Sequence, residues 1–461
     1  MTTTSLPMAR GSAKAFPGPR DNFLVGSLFD AWADPLSMFT RGANQYGDLV
    51  QYRFAWMRYF LVNDATAAHH VLIENAKAYH KSPNYQGLKV ILGNGLLTSE
   101  GDLWRRQRKL AQPAFHRESL KSFVDSMVSA TRDTVTRWDR EVVAKGSFDV
   151  HAEMMRLTFR IVGQTLLGAD LEADAKDFGA ALNVGLKWAN EYVESVVRVP
   201  PWVPTPNNVR FRRAQRTIEG VIGRVVAERK ASSEPRVDLL GMLMGARDEA
   251  TGEPMSDKLL MEELLTLTLA GHETTANALA FTFYLLSSHP DIARRASEEV
   301  ASVLGGREPL LEDLAKMPFT KAVIEEALRL YPPAWVVERI ALEADEVNGH
   351  SIPKGGIVGV SPYLMHRNPR YFDNPEGFDP ERFMKPDANR PKLAYMPFGG
   401  GPRTCIGNAF AMMELLVIVP MLLQRFQLAL VPGFKLELEP SVTLRPKAGI
   451  WMQARRVAGS C

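Results

Sequence analysis

Apolar positions along this chain recur mainly at helical spacing, in long blocks. They predict helices near residues 102–113, 119–143, 151–167, 175–195, 208–230, 256–288, 291–304, 318–331 and 407–426. Alternation is confined to the two ends. Val50, Tyr52 and Phe54 alternate, Tyr59 to Val62 returns, and residues 48–63 read as a hairpin. Short strands are expected near 336–363, with Asn348-Gly349 as a turn, and again over roughly the last thirty residues. A proline-rich irregular stretch runs from Asn368 to Pro397. Many helices framed by small strand pairs predict a mainly α chain with small β-sheets, of the α+β class.

Composition narrows this picture. A length of 461 residues would suggest about three domains, but no linker or repeat supports a split. The proline- and serine-containing stretches Val199–Asn208 and Ala231–Arg236 are short enough to be loops. One large domain over 17–456 is expected, with flexible ends at 1–16 and 457–461. A net charge of +3 argues against a nucleic-acid binder. The two cysteines, Cys405 and Cys461, form no CxxC pair, which disfavours a zinc or dithiol redox site. Residues 1–16 lack the apolar core of a secretory signal. No run is expected to reach the ~18 apolar residues that span a bilayer; the nearest, Leu415–Leu423, contains Pro420. A soluble cytoplasmic protein without a transmembrane anchor follows, and in that compartment a Cys405–Cys461 disulfide is not expected.

The densest chemistry lies in Phe398-Gly399-Gly400-Gly401-Pro402-Arg403-Thr404-Cys405-Ile406-Gly407. It puts one cysteine in a glycine-rich loop directly before a helix. A thiolate there is stabilised by backbone N–H groups, by the helix N-terminus and by Arg403. Glycines let the backbone lie close to a large flat ligand. A lone thiolate suits a single metal centre, haem iron among them. The competing reading is a structural cysteine in a glycine turn.

Three further constellations accompany it. Ala270-Gly271-His272-Glu273-Thr274 sits inside the long helix that Ser256 is placed to cap. Gly271 at mid-helix suggests the close approach of something flat, or a kink. His272-Glu273 begins an H-E-x-x-H zinc motif, but residue 276 is alanine and the zinc reading fails. Glu326 and Arg329 share a helix face at i, i+3, a spacing equally common in surface pairs. Pro380-Glu381-Arg382-Phe383 follows later. Trp104 and Arg108 stand one turn apart, with Arg105, Arg106 and Lys109 as a basic face beside them. A planar guanidinium suits carboxylate.

Together these motifs resemble the cytochrome P-450 family, whose haem signature F-x-x-G-x-R-x-C-x-G matches Phe398, Gly401, Arg403, Cys405 and Gly407. The resemblance covers residues from about Pro17 to Arg456. It implies the P-450 fold, a triangular helix-rich domain, and haem b (iron protoporphyrin IX) with Cys405 as axial iron ligand. Ala270 and Gly271 would line the haem, and Thr274 and Glu273 would form the oxygen-activation pair that guides protons. Trp104, Arg108, Arg339 and Arg403 would meet the propionates. Glu326, Arg329 and Arg382 would form a buried structural network. The implied activity is monooxygenation, placing one atom of O2 into a C–H or C=C bond of a small hydrophobic substrate. That substrate would be a fatty acid or a terpenoid-, steroid- or polyketide-like lipid. Electrons would come from NAD(P)H through a ferredoxin or flavodoxin with its reductase, and the basic face of the Trp104 helix would dock that carrier. A monomer is expected. Leu88–Leu97, Val184–Val199, Thr268–Thr274, Pro333–Val337 and Ala448–Ile450 would line the pocket, unless they are ordinary core. His272 would touch proton delivery or a polar substrate. The alternatives are a peroxide-driven peroxygenase or isomerase on the same fold, and a non-catalytic haem-binding sensor. The intact Glu273-Thr274 pair disfavours all of these.

Overall fold

The computed structural model describes residues 14–20, 22, 24–195, 198–232, 238–248, 251–385 and 387–457. The expected flexible termini lie outside these residues except for 14–16 and 457, as do Cys461 and part of the 231–236 loop. The described chain divides into two compact units. One comprises residues up to Pro83 with Val336–Asp373 and Arg390–Thr404; the other comprises Asn84–Trp335, Asn374–Asn389 and the chain from Cys405 onward.

The first unit is built on a five-stranded sheet, in the order Leu49–Phe54, Met57–Val62, Ile357–Val360, Val337–Ala341, Tyr79–Lys81. The first two strands are the expected hairpin. Ile357–Val360 runs parallel to Met57–Val62 and antiparallel to Val337–Ala341. It is buried at every position, which explains its continuous apolar run. Asn348 and Gly349 take positive φ values of 47° and 77° and close the small hairpin 345–352, as an Asn-Gly turn should. At the other end of the chain, Lys14 N–H donates to Gly349 O at 2.9 Å and Phe16 is buried against Phe60.

The Pro35–Tyr46 helix was not expected from apolar spacing. Its signal is chemical: Asp34 accepts from Ser37 N–H at 3.0 Å, and Pro35 occupies the first helical position.

The second unit holds the helices that the apolar spacing predicts, with ends within a few residues. Gly101–Ala111, Arg117–Arg137, Val150–Val162, Ala175–Glu194, Pro206–Ala231, Asp257–Ser288, Pro290–Leu304, Pro318–Leu330 and Asn408–Arg425 are all present. Two of them widen into π-helical turns at 138–142 and 163–167. Asp257–Ser288 is the long helix, 32 residues capped by Ser256, whose Oγ accepts from Leu259 N–H at 3.3 Å. It is apolar nearly all round because neighbours cover almost every face.

Asn408–Arg425 corrects one expectation. By length and composition this 18-residue helix is apolar enough to cross a membrane, and 67% of it is buried within the protein. Near the C-terminus, strands Leu438–Pro440 and Leu444–Pro446 pair as a hairpin. It is tied down by Leu444 N–H to Pro333 O at 2.9 Å and by Trp335 Nε1–H to Ser441 O at 2.8 Å.

Candidate active site

Cys405 opens the approach to the Asn408–Arg425 helix. Its thiol is accessible to solvent, yet burial among protein atoms is the largest influence on it and pushes its pKa up. Two features favour the thiolate against that burial: Gly407 N–H donates to the sulfur, and the Arg108 guanidinium faces it. Arg108 is held below its usual range by burial, and the cysteine opposes that effect. The second unit therefore brings Cys405, Gly407 and Arg108 together. Trp104 lies one turn before Arg108 on Gly101–Ala111, half-buried as Arg108 is.

In the long helix, the stretch from Glu263 to Ala280 is buried except at Ala270, Gly271 and Thr274. These positions, at i, i+1 and i+4, form an open strip on a core helix. Thr274 Oγ1–H donates to Ala270 O at 2.6 Å. A Cβ on Gly271 would lie 3.3 Å from Val162 Cγ2. The Val150–Val162 helix packs closely against this glycine.

Glu273 points away from the strip. Its side chain is 4% exposed, accepts from Thr443 Oγ1–H at 2.8 Å, and stands 3.9 Å from Arg445. Burial pushes its carboxyl up, while Thr443 and Arg445 pull it down. His272 is also turned inward. It is 2% exposed, packs on Phe159, and its Nε2–H donates to Met155 O at 2.8 Å. A contact with substrate is not what this geometry provides.

Glu326 and Arg329 are wholly buried and doubly hydrogen-bonded, at 2.7 and 2.8 Å. Arg382 Nε donates to Glu326 at 3.0 Å, and Asp379 N–H does so at 2.9 Å. Arg329 also donates to Pro375 O and Gly377 O.

The remaining predicted residues belong to the first unit. Arg339 is buried on Val337–Ala341, with Nη1 donating to Glu338 O at 2.8 Å. Phe398 and Arg403 are half-buried. Gly401 has φ +69°, and a Cβ there would fall 2.0 Å from Leu72 O, so only glycine fits.

The basic face beside Trp104 is less basic than its sequence suggests. Arg105 pairs with Asp102, and Arg106 lies 2.8 Å from Asp248 and 3.9 Å from Glu253. Among the expected pocket residues, Leu88, Ile91, Leu92, Leu96, Thr268 and Ile450 are buried, as core residues are; residues 196–197 lie outside the described chain.

Sequence reasoning missed two acids and the two partners of a third. Thr443 and Arg445 carry no local signal. Glu263 is wholly buried, with Oε2 accepting from Leu96 N–H at 3.0 Å and its pKa raised by burial to about 7. Glu414, wholly buried beside Thr275, is pushed well above the carboxylate range. As an acid inside an apolar helix, Glu414 was legible as an anomaly.

The site fits a haem. It offers a soft accessible sulfur donor, a neighbouring guanidinium for a carboxylate, and an open strip of small residues on a core helix.

Comparison with known proteins agrees. The Cytochrome P450 family model matches residues 16–452. A cyclooctat-9-en-7-ol 5-monooxygenase of Streptomyces melanosporofaciens is 33% identical over 411 residues, covering 89% of this chain and 88% of that protein. Cyclooctatin synthase of the same organism is 35% identical over 403 residues, 87% of each. The solved structure of retinoic acid bound cyanobacterial CYP120A1 superposes with a TM-score of 0.85 at 26% identity, covering 97% of this chain and all of that one. With the family model spanning nearly the whole sequence and relatives of 33–35% identity aligned over most of its length, the chain belongs to the cytochrome P450 family and is a monooxygenase that uses haem and O2.

Proposed function

We propose that this enzyme hydroxylates a hydrophobic lipid of the terpenoid class, drawing electrons from NAD(P)H through a separate ferredoxin or flavodoxin and its reductase. The observation that carries the reading is Cys405: an accessible thiol in a strongly desolvating setting, with Gly407 N–H and Arg108 directed at it. The substrate class is supported by relatives named for acting on cyclooctat-9-en-7-ol and for binding retinoic acid, and by the small apolar strip at Ala270 and Gly271.

When bound, the haem supplies O2 activation, with a cysteine ligand favouring O–O cleavage. Cys405 would hold the iron as a thiolate, since a coordinating thiol is deprotonated outright. Trp104 and Arg108 would bind one propionate, and Arg339 and Arg403 would be further propionate partners, as the family resemblance implies. Ala270 and Gly271 keep side-chain bulk off the reacting face. Thr274 holds a proton at Oγ1 beside that face and gives it up on leaving Ala270 O. Glu273 is the acid from which that proton is replaced. Glu326, Arg329 and Arg382 hold the surrounding chain and take no part in the chemistry.

The test is the carbon monoxide difference spectrum of the dithionite-reduced protein beside Cys405→Ala. A strongly red-shifted Soret band, absent from the variant, is the expected result. A band at the position of histidine-ligated haem, or a band unchanged in Cys405→Ala, overturns the assignment of Cys405.

A further inference from the structure

The acid at residue 273 does not stand alone. Thr443 Oγ1–H donates to Glu273 Oε1 at 2.8 Å. Asn277, one turn further along the long helix, donates from Nδ2 to Thr443 Oγ1 at 3.3 Å. Its own Oδ1 lies 2.8 Å from His151 Nε2. The order of donors along this string is constrained. Thr443 has one hydroxyl proton and spends it on Glu273, so its oxygen accepts from the Asn277 amide. The Asn277 carbonyl oxygen then faces His151, which must carry its proton on Nε2. Burial keeps His151 neutral, and neutral imidazole with Nε2–H satisfies the string. Glu273 accepts from Thr443 at Oε1 whether or not Oε2 carries a proton, but the bond is stronger to the carboxylate, so Thr443 favours the ionised form against burial.

Arg445, two residues beyond Thr443, sets the local charge. Its Nη1 is 3.9 Å from Glu273 Oε1, its Nε is bonded to Glu439 at 2.9 Å, and Nη1 reaches Asn183 Oδ1 at 3.3 Å. The ionisable groups acting on this region are Arg445 and Glu439 from the hairpin, which act on Glu273, and His151 with Asp149 at the start of the Val150–Val162 helix. Arg445 favours the Glu273 carboxylate, and Glu439 and burial oppose it. The hairpin bearing Thr443 and Arg445 is itself pinned through Leu444 to Pro333 and through Ser441 to Trp335. Its hold on Glu273 is therefore rigid.

We propose that Thr443 and Arg445 are positioning residues of the reaction: the C-terminal hairpin holds the Glu273 carboxyl in place and turned away from the Ala270–Thr274 strip. The proposal rests on reading Glu273 as the acid that serves Thr274. In this arrangement the bond from Thr443 and the charge of Arg445 both favour the carboxylate over the acid, so the hairpin governs how readily Glu273 holds the proton that serves Thr274.

The experiment uses the full-length haem-loaded protein. The carboxylic acid carbonyl band of Glu273 is followed by infrared difference spectroscopy across pH and assigned by its loss in Glu273→Gln. In Thr443→Val, which keeps shape and removes the hydroxyl, the proton affinity of Glu273 should rise about tenfold or more. Thr443→Ser should restore the wild-type titration. Arg445→Gln should shift it in the same direction as Thr443→Val, and it serves as an independent arm if Thr443→Val fails to fold. Peroxide released per electron pair should rise in Thr443→Val and return to the wild-type ratio in Thr443→Ser. A Glu273 titration that is the same in wild type, Thr443→Val and Arg445→Gln overturns the proposal. An unchanged titration with an intact carbon monoxide spectrum would sink the hairpin's role and leave the haem-thiolate reading standing. A shifted titration with peroxide release unchanged in Glu273→Gln would instead sink the role of Glu273 as acid.

Discussion

Arg329 grips Glu326 through two parallel hydrogen bonds, Nε to Oε2 at 2.7 Å and Nη2 to Oε1 at 2.8 Å, and neither side chain has exposed surface. Such a pair is stable only because its other valences are also filled: Arg382 and Asp379 N–H donate to Glu326, and Pro375 O and Gly377 O accept from Arg329. Removing one member strands the rest. Glu326→Ala or Arg329→Ala should lose about 3–5 kcal/mol in chemical denaturation. Arg329→Lys should not restore it, because one ammonium cannot reproduce the planar fork. A loss below about 1 kcal/mol would place the pair among ordinary surface contacts.

Thr274 offers a second test. Its hydroxyl lies on the open strip and spends its proton on Ala270 O at 2.6 Å, a bond within its own helix. Deleting it should cost the fold little. Thr274→Ala should therefore bind haem normally, with a wild-type carbon monoxide spectrum, and release several-fold more peroxide per electron pair consumed. Thr274→Ser should stay close to wild type. Full coupling in Thr274→Ala would remove this hydroxyl from proton delivery.

These two sites differ in how far the sequence exposes them. Glu326 and Arg329 lie three residues apart and Ser256 announces its helix by capping chemistry, so local spacing exposes the pairing and the helix start, though not the burial of the pair. The rotation of the long helix is another matter. A helix apolar on nearly every face has no stripe to say which side is open, so nothing local shows that Ala270 faces outward while His272 is buried. The bond from Thr443 to Glu273 joins residues 170 positions apart. Only the folded chain brings that hydroxyl to the acid. The unexpected Pro35–Tyr46 helix is the opposite case, since Asp34-Pro35 carried its start signal in plain view.

Glu263 should make stability fall as pH rises. Burial lifts its pKa from the ordinary 4.5 to about 7, and its Oε2 anchors the Leu96 amide. Between those values the folded protein holds a proton that the unfolded chain has lost. The stabilisation is complete below about pH 4.5 and disappears as pH climbs through about 7. At about 1.4 kcal/mol per tenfold change in proton affinity, the effect is about 3 kcal/mol. Glu263→Gln, neutral at every pH, should be more stable than wild type at pH 8 and nearly equal to it at pH 5. Hydrogen exchange at the Leu96 amide should slow in the variant at the higher pH. Equal wild-type and variant stabilities at both pH values would mean that Glu263 is solvated in the folded protein.

His272 carries the opposite dependence. Burial holds its imidazole at about 4, against an ordinary 6.5, with the bond to Met155 O offsetting part of that effect. Folding therefore demands the neutral ring. Below about pH 6.5 the unfolded chain takes up a proton that the folded one refuses, and stability falls with pH until about 4, where both states are protonated. The loss is again about 3 kcal/mol across that interval. His272→Gln keeps a side-chain N–H donor for Met155 O but has no titration there, so its stability between pH 6.5 and 4 should decline less than that of wild type. The ring faces Phe159 and Phe178 rather than the open strip. Coupling and product pattern in the folded variant should accordingly match wild type, with the cost appearing in unfolding midpoints alone. A changed product pattern without loss of stability would put His272 at the substrate after all.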